Sequence, residues 1–185
     1  MPSEPLAMPA LPPLRARPLT EQDFAPYGWV LGLPFPGGTP VASFGHALSD
    51  FWQAQLFDTG VGGETEVLWV AYRNREPGIE GLEQHLLTQQ AIIPLTGEIV
   101  QFVACGAPEG GPDPATLAAF AVPPGMGICM RADCWHATRV TSSEVRCAML
   151  TRRSTTLDLV RHLRGAAAAT ESAFASIPRR KWVAV

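Results

Sequence analysis

Glu83, His85 and Gln90 lie within fifteen residues of one another, in the stretch EQHLLTQQAIIPLTG that runs from 83 to 97. In an extended strand alternate side chains share a face, so Glu83 and His85 point the same way. Gln90 follows a short polar break and returns to that side from the next strand. Carboxylate, imidazole and amide converging on one pocket make either a metal site or an acid–base site. His136, directly after Trp135, is the second place where such chemistry could reside. Each residue taken singly also fits a plainer role: a strand histidine is commonly a packed structural group, and a glutamine bonds readily to backbone. A carboxylate on the same inward face is harder to explain that way, because an unpaired buried charge is costly. His46, near a glycine-rich loop, and His162, on a C-terminal helix, read as surface residues. Arg73, Arg75, Arg131, Arg152 and Arg153 offer planar forks for a carboxylate, and most are expected to be solvated.

The elements that must carry these side chains are mostly short strands. Alternation and β-branched or aromatic content predict strands over 27–33, 51–57, 66–72, 98–105, 120–122, 127–130, 135–141 and 145–151, with turns at Gly60–Gly63, Pro77-Gly78, Pro123-Pro124-Gly125 and Ser142-Ser143. Many short strands with frequent turn signals mean a sandwich or barrel. Thr20 to Ala25 reads as one helical turn with Thr20 as N-cap and Asp23 at the third position. Pro114 is placed to open a second short helix. Leu157, Leu159, Val160 and Leu163 form an apolar stripe on a helix capped at Thr155-Thr156, which Gly165 interrupts and which Ala166 to Ala175 resume.

The chain has 185 residues, enough for one domain with a substantial core, and no internal repeat. With 14 basic and 17 acidic side chains it lacks the concentrated positive charge of a nucleic-acid binder. No apolar run is long enough to span a bilayer, and the proline-rich start does not read as a signal peptide. Cys105, Cys129, Cys134 and Cys147 form no CxxC pair and read as reduced, buried thiols of a cytoplasmic protein.

Written as one constellation, the spacing is Glu83-x-His85-x4-Gln90-x6-Gly97, then Pro123-x-Gly125 and His136. This resembles the two motifs of the cupin superfamily, with glutamate where the first histidine usually stands and glutamine in place of the carboxylate. A closer resemblance is to the ureidoglycolate lyase (ureidoglycolate hydrolase) family. LEQHLLTQQAIIPLTGE is similar to that family's Leu-Glu-Arg-His…Gln-Ala-Phe-Ile-Pro…Gly stretch, and PDPATLAAFAVPPGMGI to its Pro-Asp-x-x-Thr-Leu-Arg-Ala-Phe segment and glycine turn. CWHATRV falls where the family has Val-Trp-His-His-Pro, and LTEQDFAPYGWVL resembles its opening. The similarity covers roughly residues 18 to 155. Ala137 and Thr138 depart from the second histidine and the proline of that motif, and Arg152-Arg153-Ser154 stands near the family's Asp-Arg-Gly-Gly.

The resemblance implies a mainly β, cupin-type double-stranded β-helix (a jelly-roll barrel) with short N-terminal helices and a C-terminal helix. It divides the chain into a flexible arm at 1–17, the cupin domain at 18–157 and a helical extension at 158–185. It implies cleavage of ureidoglycolate to glyoxylate and urea, a step of allantoin and purine nitrogen catabolism, by a homodimer acting on a small carboxylate, without nucleic acid or membrane. Glu83, His85 and His136 would be catalytic. The same three with Gln90 would hold a divalent metal, which the family suggests is nickel. Gln90 and an arginine, Arg73 or Arg131, would bind the carboxylate. Two rival readings are another cupin enzyme acting on a small hydroxy or keto acid, and a non-catalytic small-molecule binder.

Overall fold

The computed structural model describes residues 11–35 and 42–184. It opens with a strand, β1 (Leu14–Pro18), one helical turn, α1 (Glu21–Phe24), and β2 (Gly28–Leu31), followed by a hairpin of β3 (Ser43–His46) and β4 (Ser49–Trp52). The α1 turn forms as its sequence predicts: Thr20 Oγ1 accepts from the Asp23 backbone N–H at 3.2 Å and donates to Asp23 Oδ2 at 2.8 Å.

Eight strands then build the body by nested antiparallel pairing. They are β5 (Thr65–Tyr72), β6 (Gly78–His85), β7 (Gln90–Pro94), β8 (Ile99–Ala104), β9 (Ala118–Val122), β10 (Gly127–Met130), β11 (Trp135–Val140) and β12 (Val145–Arg152). β8 pairs with β9, β7 with β10, β6 with β11 and β5 with β12. The segment is thus one long hairpin rolled up so that successive pairs alternate between two sheets, which is the double-stranded β-helix of the cupins. One sheet runs β2-β10-β7-β12-β5, and the other is a closed ring completed by β1 and a last strand, β13 (Ser172–Val183).

Two cores follow from this ring. Odd-numbered residues of β8 (Ile99, Val103) join Phe120, Val122, Ile128, Met130 and Val145 between the sheets. Even-numbered ones (Val100, Phe102, Ala104) join Ile79, Leu82, Ala119 and Trp135 inside the curled ring. β8 is therefore buried on both faces, which explains its apolar character; its one polar residue, Gln101, accepts from Thr138 Oγ1 at 2.9 Å.

The C-terminal part corrects the sequence reading. Helix α2 (Arg153–Leu163) begins two residues before Thr155, and it ends in a Schellman motif: the Ala166 N–H donates to Arg161 O, the Gly165 N–H to His162 O, and Gly165 adopts φ 71°. The helical extension expected over 158–185 therefore stops at Leu163, and Ala166–Ala175 do not resume it. From Ser172 the chain is β13, paired with β6 across a bulge between Ser176 and Arg180. Its inward Ala173, Ala175 and Ile177 pack on the ring core. Pairing also overrides the proline-rich start: residues 14–18, most of them assigned to a flexible arm, run parallel to both β9 and β13 and close the ring. The rest of that arm, 1–10, lies outside the described residues. The strand expected over 51–57 is confined to Ser49–Trp52.

Candidate active site

The four polar residues singled out by spacing meet at one end of the β6–β11 pair. Glu83 and His136 are direct cross-strand partners. A tight turn delivers His136 there: Asp133 takes φ 65°, a left-handed conformation that aspartate tolerates better than most residues, and its N–H donates to His85 O at 3.0 Å. Gln90 opens β7, on the facing sheet. The ring centroids of His85 and His136 are 5.1 Å apart.

The hydrogen bonds fix what each side chain offers. His136 Nδ1 donates to Cys134 O at 2.9 Å, so its Nε2 carries a lone pair. That atom is buried, has no hydrogen-bond partner and faces Glu83 Oε1 at 3.6 Å. His85 sits between Ser172 Oγ, 3.0 Å from Nδ1, and the Gln90 amide, 2.8 Å from Nε2. Burial, and secondarily the neighbouring His136, push the His85 imidazole down to about 3, so it is neutral at ordinary pH. One ligand atom from each of Glu83, His85 and His136 lies within 4.8 Å of the others. A carboxylate and two imidazoles that converge in this way suit a divalent cation, and these donor types suit several first-row metals.

Two cavities meet at this cluster. The first, about 510 Å³, is the gap left because β6 and β11 pair at a single position. Glu83, His136, Ala137, Thr138 and Asn74 line it. The second, about 350 Å³, lies between the sheets beneath α2, with His85, Gln90, Leu68, Met149 and Leu159 in its wall. Glu83 and Tyr72 line both. Burial raises the Tyr72 phenol well above its ordinary value, so it remains an O–H donor.

Neither arginine proposed for the carboxylate reaches these cavities. Arg73 is paired with Glu144 at 2.6 Å on the surface. Arg131 stacks over Trp29 at 4.2 Å and donates to Ala25 O, on the far side of the β2–β10 ladder. Both belong to strand ends whose exposed side chains sequence alone could not orient. What sequence reasoning missed is Tyr72, read only as part of a strand, and Asn74. Thr138, one of the departures from the family motif, lines the first cavity, as does its neighbour Ala137.

Comparison with known proteins agrees with these motifs. The family described as ureidoglycolate lyase matches residues 11–170. "Ureidoglycolate lyase 2" of Rhizobium meliloti (strain 1021) is 31% identical over 129 residues, covering 67% of this chain and 76% of that protein. "Ureidoglycolate lyase" of Chelativorans sp. (strain BNC1) is 29% identical over 130 residues, covering 65% and 73%. Among solved structures, a dTDP sugar isomerase from Desulfovibrio desulfuricans G20 aligns with a TM-score of 0.38 at 12% identity, over 60% of this chain and 72% of that one. At that level the fold rests on the strand pairing itself.

Proposed function

The chain belongs to the ureidoglycolate lyase family, and from that premise we propose that it is a metal-assisted lyase splitting ureidoglycolate into glyoxylate and urea. The observation that carries the reading is the buried, unpartnered Nε2 of His136 opposite Glu83 Oε1 at 3.6 Å. Glu83, His85 and His136 would hold the divalent metal, nickel by family resemblance, with Gln90 beside them to supply its amide oxygen or orient the substrate. When bound, such an ion makes a coordinated hydroxyl more acidic.

The chain's own residues supply the rest. Glu83, partly exposed at the junction of the cavities, takes the substrate hydroxyl proton on the carboxylate oxygen that would not hold the metal. The O–H electron pair becomes the carbonyl of glyoxylate as the C–N bond breaks, and the proton is returned to the departing nitrogen, so that atoms and charge balance. The Tyr72 O–H stands close by as a hydrogen-bond donor to developing negative charge. Ser172 Oγ, at Nδ1, would hold the ring of a metal-bound His85, whose Nε2 the Gln90 amide would release to the ion, and Cys134 O holds the ring of His136. Metal analysis of the purified protein, with urea release from ureidoglycolate measured before and after chelation, tests the reading. No cleavage with any added divalent metal sinks it.

A second reading is favoured by the chamber beneath α2, whose wall of Leu68, Val70, Met149 and Leu159 is more apolar than ureidoglycolate needs. It is a cupin enzyme acting on a small hydroxy or keto acid with an apolar substituent, and turnover of such an acid in preference to ureidoglycolate would establish it. A homodimer is proposed by family analogy, supported by the apolar outer face of β5, where Val67 and Trp69 are 68% and 69% exposed. Light scattering at micromolar concentration checks it, and a monomer would remove it. A place in allantoin catabolism in the cytoplasm is proposed by family analogy, and the four free thiols suit a reducing compartment.

A further inference from the structure

We propose that Arg139 is the carboxylate-binding residue of this site, acting at the end of the β6–β11 gap opposite Glu83 and His136. The inference deepens the lyase reading and takes its substrate from it. Arg139 lines the same 510 Å³ cavity as Glu83 and His136. It stands three residues beyond His136 on β11, about 10 Å along the strand, a distance that a small substrate and an arginine side chain together span. Its parity would put it on the other face of the sheet. It nevertheless opens into the cavity, because β6 and β11 separate beyond the Glu83–His136 pair and the cavity passes between them.

Its bonding leaves one edge of the guanidinium without a strong acceptor. Nη1 donates to Thr138 O at 3.0 Å, and Nη2 donates to Gly78 O across the gap at 3.4 Å, a long bond. Nε is enclosed and has no acceptor. The Nε–Nη2 edge, which grips a carboxylate in a bidentate pair, therefore lacks any strong partner. Arg139 takes part in none of the ion pairs found among the described residues, whereas Arg73, Arg152 and Arg153 are committed to Glu144, Glu171 and Glu64. Burial holds the Arg139 pKa below its ordinary value, and the nearby Glu76 and Glu80, which do not pair with it, partly offset that effect. Asn74, Thr138 and Ser176 share the cavity wall with it, beside the apolar Leu82 and Phe174.

Steady-state kinetics on the metal-loaded protein test this with ureidoglycolate, with its neutral amide (carboxamide in place of carboxylate), and with glyoxylate titrated calorimetrically as the product probe. R139Q is expected to raise KM for ureidoglycolate by about 10–100-fold with kcat changed much less, the pattern of lost uniform binding. It should weaken glyoxylate binding by a similar factor and leave turnover of the amide unchanged. A purely structural role would affect acid and amide alike. R139K keeps the charge without the fork and should fall between, so it decides the matter if R139Q does not fold; a wild-type KM in R139K would then overturn the proposal. Cleavage of ureidoglycolate with a KM insensitive to R139Q overturns this inference and leaves the lyase reading intact. A wild-type protein that cleaves nothing yet binds glyoxylate in an Arg139-dependent way sinks the lyase reading and retains this one. Neither cleavage nor Arg139-dependent glyoxylate binding sinks both.

Discussion

The two cavities that meet at Glu83 share walls from β5 and β6 and differ in character. The gap between β6 and β11 is the more open and more polar of the two, because β6 and β11 pair at one position only and Asn74 and Thr138 line the space beside Leu82 and Phe174. The chamber beneath α2 is walled by Leu68, Val70, Met149 and Leu159, because it lies against the fully paired β5–β12–β7 ladders. A missing ladder thus makes room for charge, and a complete ladder with a helix over it makes an apolar enclosure. Glu83 is 35% exposed at the junction, while His85 and His136, on either side of it, are buried at 4% and 3%.

The sharpest way to break this division of labour is to remove the group at the mouth of the gap. His136→Ala is expected to lower kcat/KM by about 10²–10⁴-fold, the range for a positioned acid–base or ligand group, and to reduce bound divalent metal, with the far-UV CD spectrum unchanged. A variant that keeps its activity would move the chemistry out of the gap.

Next in size is the acid response of the chamber side. His85 is held neutral by burial, with a folded value of about 3 against an ordinary 6.5. Between those values the unfolded chain binds a proton that the folded chain does not. Stability is therefore full above about pH 6.5 and falls as pH drops toward 3, by at most about 1.4 kcal/mol per pH unit. In metal-stripped protein, urea denaturation from pH 7 to 4 should show this slope, and His85→Gln should flatten it. An unchanged slope would assign the acid sensitivity to other groups.

Ala137→His adds a ring to the wall of the gap, at the position where the family motif carries a second histidine. If that ring donates a proton to departing urea, urea release should rise about tenfold, toward the lower end of what a general acid contributes. No gain would mean that the gap works without it.

The smallest effect concerns the roof of the chamber. Asp158 on α2 accepts from the N–H groups of Thr170 and Glu171 at 2.8 and 2.9 Å and from Thr170 Oγ1 at 3.0 Å, tying the helix to the start of β13. Asp158→Ala should lower the melting temperature by about 2–4 °C and leave kcat unaffected. A fall in kcat would show that the roof shapes the site as well as covering it.

Much of this was legible in the chain because it depends on short-range rules. Period-two parity placed Glu83 and His85 on one face, the Pro123-Pro124-Gly125 turn fell where Met126 N–H donates to Pro123 O, and Thr20 capped its helix as its spacing required. The types of Gln90 and His136, with their spacing, named the remaining partners, and the family resemblance fixed the order in which they would return to the site. Long-range pairing decided the rest. The alanine-rich stretch ending at Ala175 favours helix by local propensity, yet Ala173 and Ala175 are strand residues, because pairing with β6 and burial in the ring outweigh that preference. Which arginine faces the site followed from the same source. Nothing local distinguishes Arg139 from Arg73 or Arg131; the difference is that β11 and β6 part beyond His136, and the register between strands fifty residues apart is a property of the closed sheet alone.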